Sequence, residues 1–193
     1  MLKIGVIAGT TRPNRRVTTV ANWFLDIARA RTDAAWELVD IEAYNLPNLD
    51  EPLPPSMQKY AHDHTKKWSE KVASLDGYVF VTPEYNHSYS GSLKNAIDFV
   101  YHEWTNKAAG FVSYGTTGGV RAVEHLRGVM AELQIADVRA HVSLSLYNDF
   151  VNFSEFKPGP GHKAQIDILV DQLINWSTAF QGLRQKLAAK TAA

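Results

Sequence analysis

The sequence predicts an α/β fold: one domain built on a five-stranded parallel sheet of order 2-1-3-4-5, with helices on both faces. Three observations carry this. Short apolar runs rich in β-branched residues alternate along the whole chain with amphipathic helical patterns, the signature of a doubly wound sheet. The short runs are mostly contiguous in their apolar residues, as parallel strands covered on both faces are. The polar, glycine-bearing loops follow strands, and so fall at the sheet edge where open α/β proteins bind ligands.

The strand-like runs are Lys3 to Ala8, Trp36 to Ile41, Gly77 to Thr82, Ala108 to Tyr114 and Arg139 to Leu146. Between them, apolar residues recur at helical spacing. Val17, Val20, Ala21, Phe24, Leu25 and Ala28 share one face, as do Ala61, Trp68, Val72 and Leu75, then Leu93, Ala96, Ile97 and Val100. A fourth set is Ala122, Val123, Leu126, Met130 and Leu133; the last is Ile166, Leu169, Val170, Leu173, Trp176, Phe180 and Leu183. The Pro-rich piece from Leu46 to Pro55 reads as an extended loop, because the same alternation continues on both sides of it. The 193 residues therefore read as a single domain, with the tail after Leu187 expected to fray.

Composition narrows the function. Twenty basic residues balance 20 acidic ones, which argues against nucleic-acid binding and against an acidic electron carrier that steers its partners by its field. Cysteine is absent, which removes disulfides, thiolate nucleophiles and Cys-ligated metals. The chain runs from Met1 into a strand and lacks an apolar stretch near the roughly 18 residues of a spanning helix. A cytoplasmic protein with no signal peptide and no membrane partner is expected.

Three loops hold the polar chemistry. The first, Gly9-Thr10-Thr11-Arg12-Pro13-Asn14-Arg15-Arg16, joins the first strand to the first helix. Its glycine permits a tight turn, Thr and Asn can cap the helix, and the arginines supply fork-shaped donors for an anion. Neither the dinucleotide fingerprint nor the P-loop ending is present, so a single phosphate suits it best. The second, Pro83-Glu84-Tyr85-Asn86-His87-Ser88-Tyr89-Ser90-Gly91, combines a rigid proline, flat rings and polar atoms suited to a planar heteroaromatic ligand. The third, Tyr114-Gly115-Thr116-Thr117-Gly118-Gly119-Val120, allows close backbone approach. In the order 2-1-3-4-5 these loops converge at the switch point beside strands one and three, one to hold a phosphate and two to hold a ring system.

These residues resemble the NADPH-dependent FMN reductases of flavodoxin-like fold, a family of quinone, azo-dye and chromate reductases. The resemblance rests on Gly9-Thr10-Thr11-Arg12-Pro13, on Pro83-Glu84-Tyr85-Asn86 with Leu93-Lys94-Asn95-Ala96-Ile97-Asp98, and on Ser113-Tyr114-Gly115 with Gly118-Gly119. It implies a flavodoxin-like three-layer sandwich, noncovalent FMN, and NADPH or NADH as co-substrate. It also implies a small-molecule acceptor and a homodimer or homotetramer with the flavin near a subunit interface. By the same resemblance Thr10, Arg12, Asn14 and Arg15 hold the phosphate. Pro83, Glu84, Tyr85 and Asn86 line the isoalloxazine, and Ser113, Gly115, Gly118 and Gly119 offer donors on its pyrimidine side. Glu84 reads equally as a helix-capping or interface carboxylate. No residue is expected to be a catalyst, since the flavin carries the chemistry, and none to bind a metal. The alternative is a nonenzymatic electron carrier or flavin redox sensor.

His87, His102 and His125 lack metal-ligand spacing and read as surface or interface residues. Tyr101 and Trp104 are expected at a subunit contact. The aromatics Tyr147, Phe150, Phe153 and Phe156 are expected to pack against the last helix, with cover for a neighbouring subunit or substrate pocket as the other reading. Arg15 or Arg16 could reach the 2′-phosphate of NADPH if FMN does not use them.

Overall fold

The computed structural model describes residues 1–191; Ala192 and Ala193, the end of the tail expected to fray, lie outside the described residues. Five strands form the main sheet: β1 Leu2–Ala8, β2 Ala34–Asp40, β3 Gly77–Pro83, β4 Lys107–Gly115 and β5 Ile135–Ser145. Their order is β2-β1-β3-β4-β5 and every neighbouring pair is parallel, as expected. The helices are α1 Val17–Ala28, α2 Asp63–Ala73, α3 Gly91–Asp98, α4 Val120–Glu132 and α5 His162–Thr191.

The pleat sorts the core into two layers. Ile4, Val6 and Ala8 of β1 face α1 and α5, where they meet Val20, Phe24, Leu169 and Leu173. Ile7, between them in sequence, faces the other way, toward Trp68 and Val72 of α2, Leu93 and Ile97 of α3, and Leu126 and Met130 of α4. Consecutive strand residues point to opposite faces, so a strand buried on both faces is apolar at nearly every position, with buried polar residues such as Thr82, Lys107 and Ser113 hydrogen-bonded. β3 and β4 are buried throughout.

Where the structure departs from the sequence reading, the causes are local. β5 begins at Ile135, not Arg139. It is an edge strand in which only Ile135, Val138, Val142 and Leu144 are buried, so Asp137 and Arg139 interrupt the apolar run without ending the strand. Ala61 is exposed and precedes α2. Trp176 lies on α5 but is 49% exposed. Trp104 is not free for a subunit contact. It is fully buried, donates its indole N–H to the Ile97 carbonyl at 3.1 Å, and packs edge-on against Tyr78 and Trp68. The Pro-rich segment lies between two single-turn 3-10 helices, Ile41–Tyr44 and Pro55–Met57. An antiparallel hairpin not foreseen in the sequence, β6 Phe150–Val151 and β7 Glu155–Phe156, follows β5.

Candidate active site

The loops after β1, β3 and β4 meet at the carboxyl edge of the sheet. β1 and β3 are hydrogen-bonded neighbours, yet the chain leaves β1 toward the α1 face and β3 toward the α3 face. A crevice opens where the connections part.

Loop one is tied down by short-range geometry. The Gly9 N–H donates to the Val81 carbonyl at 2.8 Å, and a Cβ at Gly9 would lie 2.8 Å from that same oxygen, so only glycine fits. The Thr10 side chain, almost fully buried, accepts the Arg12 N–H at 3.3 Å and turns the chain. Neither threonine nor Asn14 caps α1: Arg16 stands at the N-cap, with no side-chain bond to the first turn and no acidic residue in it. The first-turn N–H groups of α1 are thus left to an outside acceptor, and the helix dipole favours an anion there.

Loop two begins by extending the sheet, since the Glu84 N–H donates to the Tyr114 carbonyl at 2.9 Å. A tight turn follows, in which Tyr85 and Ser88 exchange backbone bonds across Asn86 and His87, both at positive φ. Ser90 then caps α3, accepting the Leu93 N–H at 3.1 Å. Glu84 is held by donors from loop three and α4. Its carboxylate accepts the Arg121 N–H at 3.2 Å at the start of α4 and the Arg121 Nε–H at 2.7 Å, with Thr117 Oγ1 at 3.4 Å. Burial works against ionisation, but these donors outweigh it and hold the carboxyl below its usual range. Glu84 is a helix cap that fastens loop two to loop three.

Loop three is shaped from within. The buried Ser113 hydroxyl donates to the Gly118 carbonyl at 2.7 Å, and Ser143 donates to the same oxygen at 3.0 Å. Gly118 and Gly119 adopt φ of 75° and 74°, the left-handed region that side chains resist.

A cavity of about 340 Å³ lies between the loops. Of the residues singled out by sequence, Arg12, Asn14, Arg15, Pro83, Glu84, Tyr85 and Gly115 line it. Thr10, Asn86, Ser113, Gly118 and Gly119 do not line it; they set the turns that shape it. Gly118 borders a neighbouring cavity of about 470 Å³ instead. The lining also includes Arg16, read in sequence as an alternative contact for a 2′-phosphate, Phe153, whose segment was read as an alternative pocket cover, and Pro13, Tyr114 and Leu146, which were not among the site candidates. Tyr114 carried a signal, being the aromatic between Ser113 and Gly115; Leu146 directly follows β5, and Phe153 arrives with the unforeseen hairpin.

The loop-one arginines are not equivalent. Arg15 binds Asp40 at 2.6 Å and Glu42 at 2.5 Å. Burial opposes its charge, but the two carboxylates hold its pKa above the ordinary value. Arg12 lies over the Tyr85 ring with its guanidinium carbon 5.8 Å from the centroid. Neither Arg12 nor Arg16 has an ion pair among the described residues. The cavity thus combines cations beside an uncapped helix start with the aromatic rings of Tyr85, Tyr114 and Phe153. Burial raises the Tyr114 pKa and keeps its phenol protonated.

The family model described as NADPH-dependent FMN reductase matches residues 2–149. The chain belongs to that family. FMN is therefore its cofactor and NAD(P)H its co-substrate, and the chain is an oxidoreductase. It is 40% identical over 149 residues to an NAD(P)H-dependent FMN reductase of Schizosaccharomyces pombe, covering 76% of this chain and 74% of that one. A 2-hydroxy-1,4-benzoquinone reductase of a Burkholderia species is 33% identical, covering 69% and 73%. The flavoenzyme FerB of Paracoccus denitrificans, an NAD(P)H:acceptor oxidoreductase, shares the fold with a TM-score of 0.71 at 19% identity, over 93% of this chain and 99% of that one. The donor set fits FMN: unpaired arginines and open helix N–H groups suit its phosphate, and the flat apolar walls suit its ring. Among the described residues no cluster of His, Cys, Asp or Glu could hold a metal ion, and no helix is long and apolar enough to cross a membrane.

Proposed function

We propose that this enzyme reduces quinones, using NAD(P)H as hydride source and FMN seated in the cavity between the three loops. The observation that carries the reading is that Arg12 and Arg16, at the start of α1, share one 340 Å³ cavity with the rings of Tyr85, Tyr114 and Phe153. Bound FMN would supply two-electron transfer, a hydride equivalent from NAD(P)H together with one proton from solvent converting the quinone to a hydroquinone. The residues of this chain bind and orient.

In this reading Arg12 and the first-turn N–H groups of α1 hold the phosphate, with Asn14 beside them. Arg15 acts one step back, bracing loop one through Asp40 and Glu42, and Thr10 sets the turn. Pro83 and Tyr85 border the ring, Asn86 sets the turn that presents them, and Glu84 keeps their loop fastened to α4. Gly115 offers backbone at the ring edge, and Ser113, Gly118 and Gly119 hold that backbone in place. The acceptor class draws support from the quinone reductases among the relatives, including one of Escherichia coli that is 31% identical over 141 residues.

We include a cytoplasmic homodimer or homotetramer in the proposal. A groove of about 730 Å³, lined by Ile97, Tyr101, Val129 and Leu133, offers a face for a second copy. Titration with FMN should yield a yellow protein whose flavin absorbance is bleached by NADPH and restored by a quinone. A protein that binds FMN but oxidises NADPH no faster with a quinone than without one would sink the acceptor assignment. Light scattering at a monomer mass would remove the oligomer.

A further inference from the structure

The β6–β7 hairpin ends in a turn from Val151 to Ser154, closed by the Ser154 N–H on the Val151 carbonyl at 3.1 Å. Both central residues lie in the left-handed region, Asn152 at φ 50° and Phe153 at φ 55°. Asparagine tolerates that conformation. A bulky aromatic does not, and a phenylalanine held there is a backbone outlier. Its side chain gains little burial in return, since Phe153 is 58% exposed.

The ring has two neighbours. On one side it borders the candidate flavin cavity together with Leu146, Tyr85 and Tyr114. On the other it meets Tyr147 edge-on, with centroids 5.3 Å apart and planes at 79°. Tyr147 is itself 66% exposed. The other two aromatics of the segment behave differently: Phe150 is buried, and Phe156 packs on Phe150 and on Trp23 of α1. The hairpin base is thus anchored in the core, while its tip carries a strained, edge-braced ring to the rim of the cavity.

We propose that Phe153, braced by Tyr147, is the aromatic wall against which a flat acceptor ring, a quinone, lies as it enters the flavin site. This rests on the quinone-reductase reading above and adds a residue that sets acceptor shape. A quinone is planar and electron-poor, and an exposed phenyl face offers offset stacking that an ion without a flat face cannot use. The strain at φ 55° is consistent with a ring kept at the tip for contact, because any fold-stabilising choice at that position would be glycine or asparagine.

The test uses the FMN-loaded protein and its Phe153→Gly and Phe153→Trp variants. Glycine removes the ring and relieves the backbone, so the melting temperature of Phe153→Gly should hold or rise. Binding of 1,4-naphthoquinone to the oxidised, FMN-loaded protein, measured by calorimetry without any reductant, should weaken about three- to tenfold in Phe153→Gly. The ratio of KM for naphthoquinone to KM for ferricyanide should rise in the same proportion, and Phe153→Trp should restore both. Naphthoquinone binding unchanged in FMN-loaded Phe153→Gly overturns this inference alone. A matching loss of FMN affinity in Phe153→Gly also overturns it, since the ring would then belong to the cofactor's own cradle. Wild-type protein that takes up no FMN overturns the parent reading and this one with it.

Discussion

The hydroxyl of Ser90 donates to the carbonyl of Gly9 at 2.6 Å across 81 residues of sequence, while the same oxygen accepts the Leu93 N–H at 3.1 Å. One buried side chain therefore caps α3 and stitches loop one to loop two. Nearby, the Ser92 hydroxyl accepts the Thr11 N–H at 3.3 Å and lies 3.1 Å from the Ser90 hydroxyl, making a second stitch.

Ser90→Ala should cost about 1.5–3 kcal/mol in urea unfolding, the sum of a lost cap and a carbonyl left short of a buried donor. FMN should also bind more weakly, because loop one loses its tether. An unchanged urea midpoint would mean that the cap and the tether contribute nothing.

Arg12 and Arg15 should separate cleanly. Arg12→Ala should weaken FMN binding by more than about tenfold with little loss of stability, since a hydrogen bond to a charged group is worth roughly 1.5–3 kcal/mol. Arg15→Ala should instead lower stability by about 1–3 kcal/mol, as it strips Asp40 and Glu42 of their partner. FMN titration and urea melts on both variants measure this. A reversed pattern would move the phosphate contact to Arg15.

Lys107 predicts a pH dependence remote from the site. It is only 4% exposed, and its amine donates to the Val72 and Ala73 carbonyls at 2.8 and 3.3 Å. Burial first, and then the charge of Arg184, lower its pKa to about 7 against the pull of Asp76 and Glu103. The unfolded chain keeps that proton to an ordinary value of 10.5. Between these values unfolding takes up a proton, so stability rises with pH, by up to about 1.4 kcal/mol per unit. Above pH 10 buried Tyr78 reverses the trend: its pKa is raised by burial, so there the unfolded chain loses its proton first. Urea melts of wild type and Lys107→Met from pH 7 to 9 check this. The variant should lose the rise, and an equal slope in both proteins would refute the assignment.

Much was legible in the chain because periodicity is local. A contiguous apolar run such as Tyr78 to Val81 reports a strand covered on both faces, and Val17, Val20, Phe24 and Leu25 report a helix face, each within one short window. β5 was shortened because this edge strand buries only Ile135 and Val138 in its first half, which leaves no contiguous apolar run there. The β6–β7 hairpin was missed because each of its strands has two residues, too few for any period.

Sequence by itself determined the five strands, the helices that separate them, and the three loops whose glycines, arginines and tyrosines mark a cofactor edge. Only the tertiary structure decided what each polar group is committed to. Arg15 meets Asp40 across 25 residues, and Glu84 meets Arg121 across 37. Trp104 was drawn into the core by Trp68 and Tyr78, and Phe153 was carried to the cavity rim by a hairpin anchored elsewhere. The reason is physical: burial patterns repeat within one element, whereas the choice of partner for a charge or a ring depends on which distant elements the fold brings within a few ångströms.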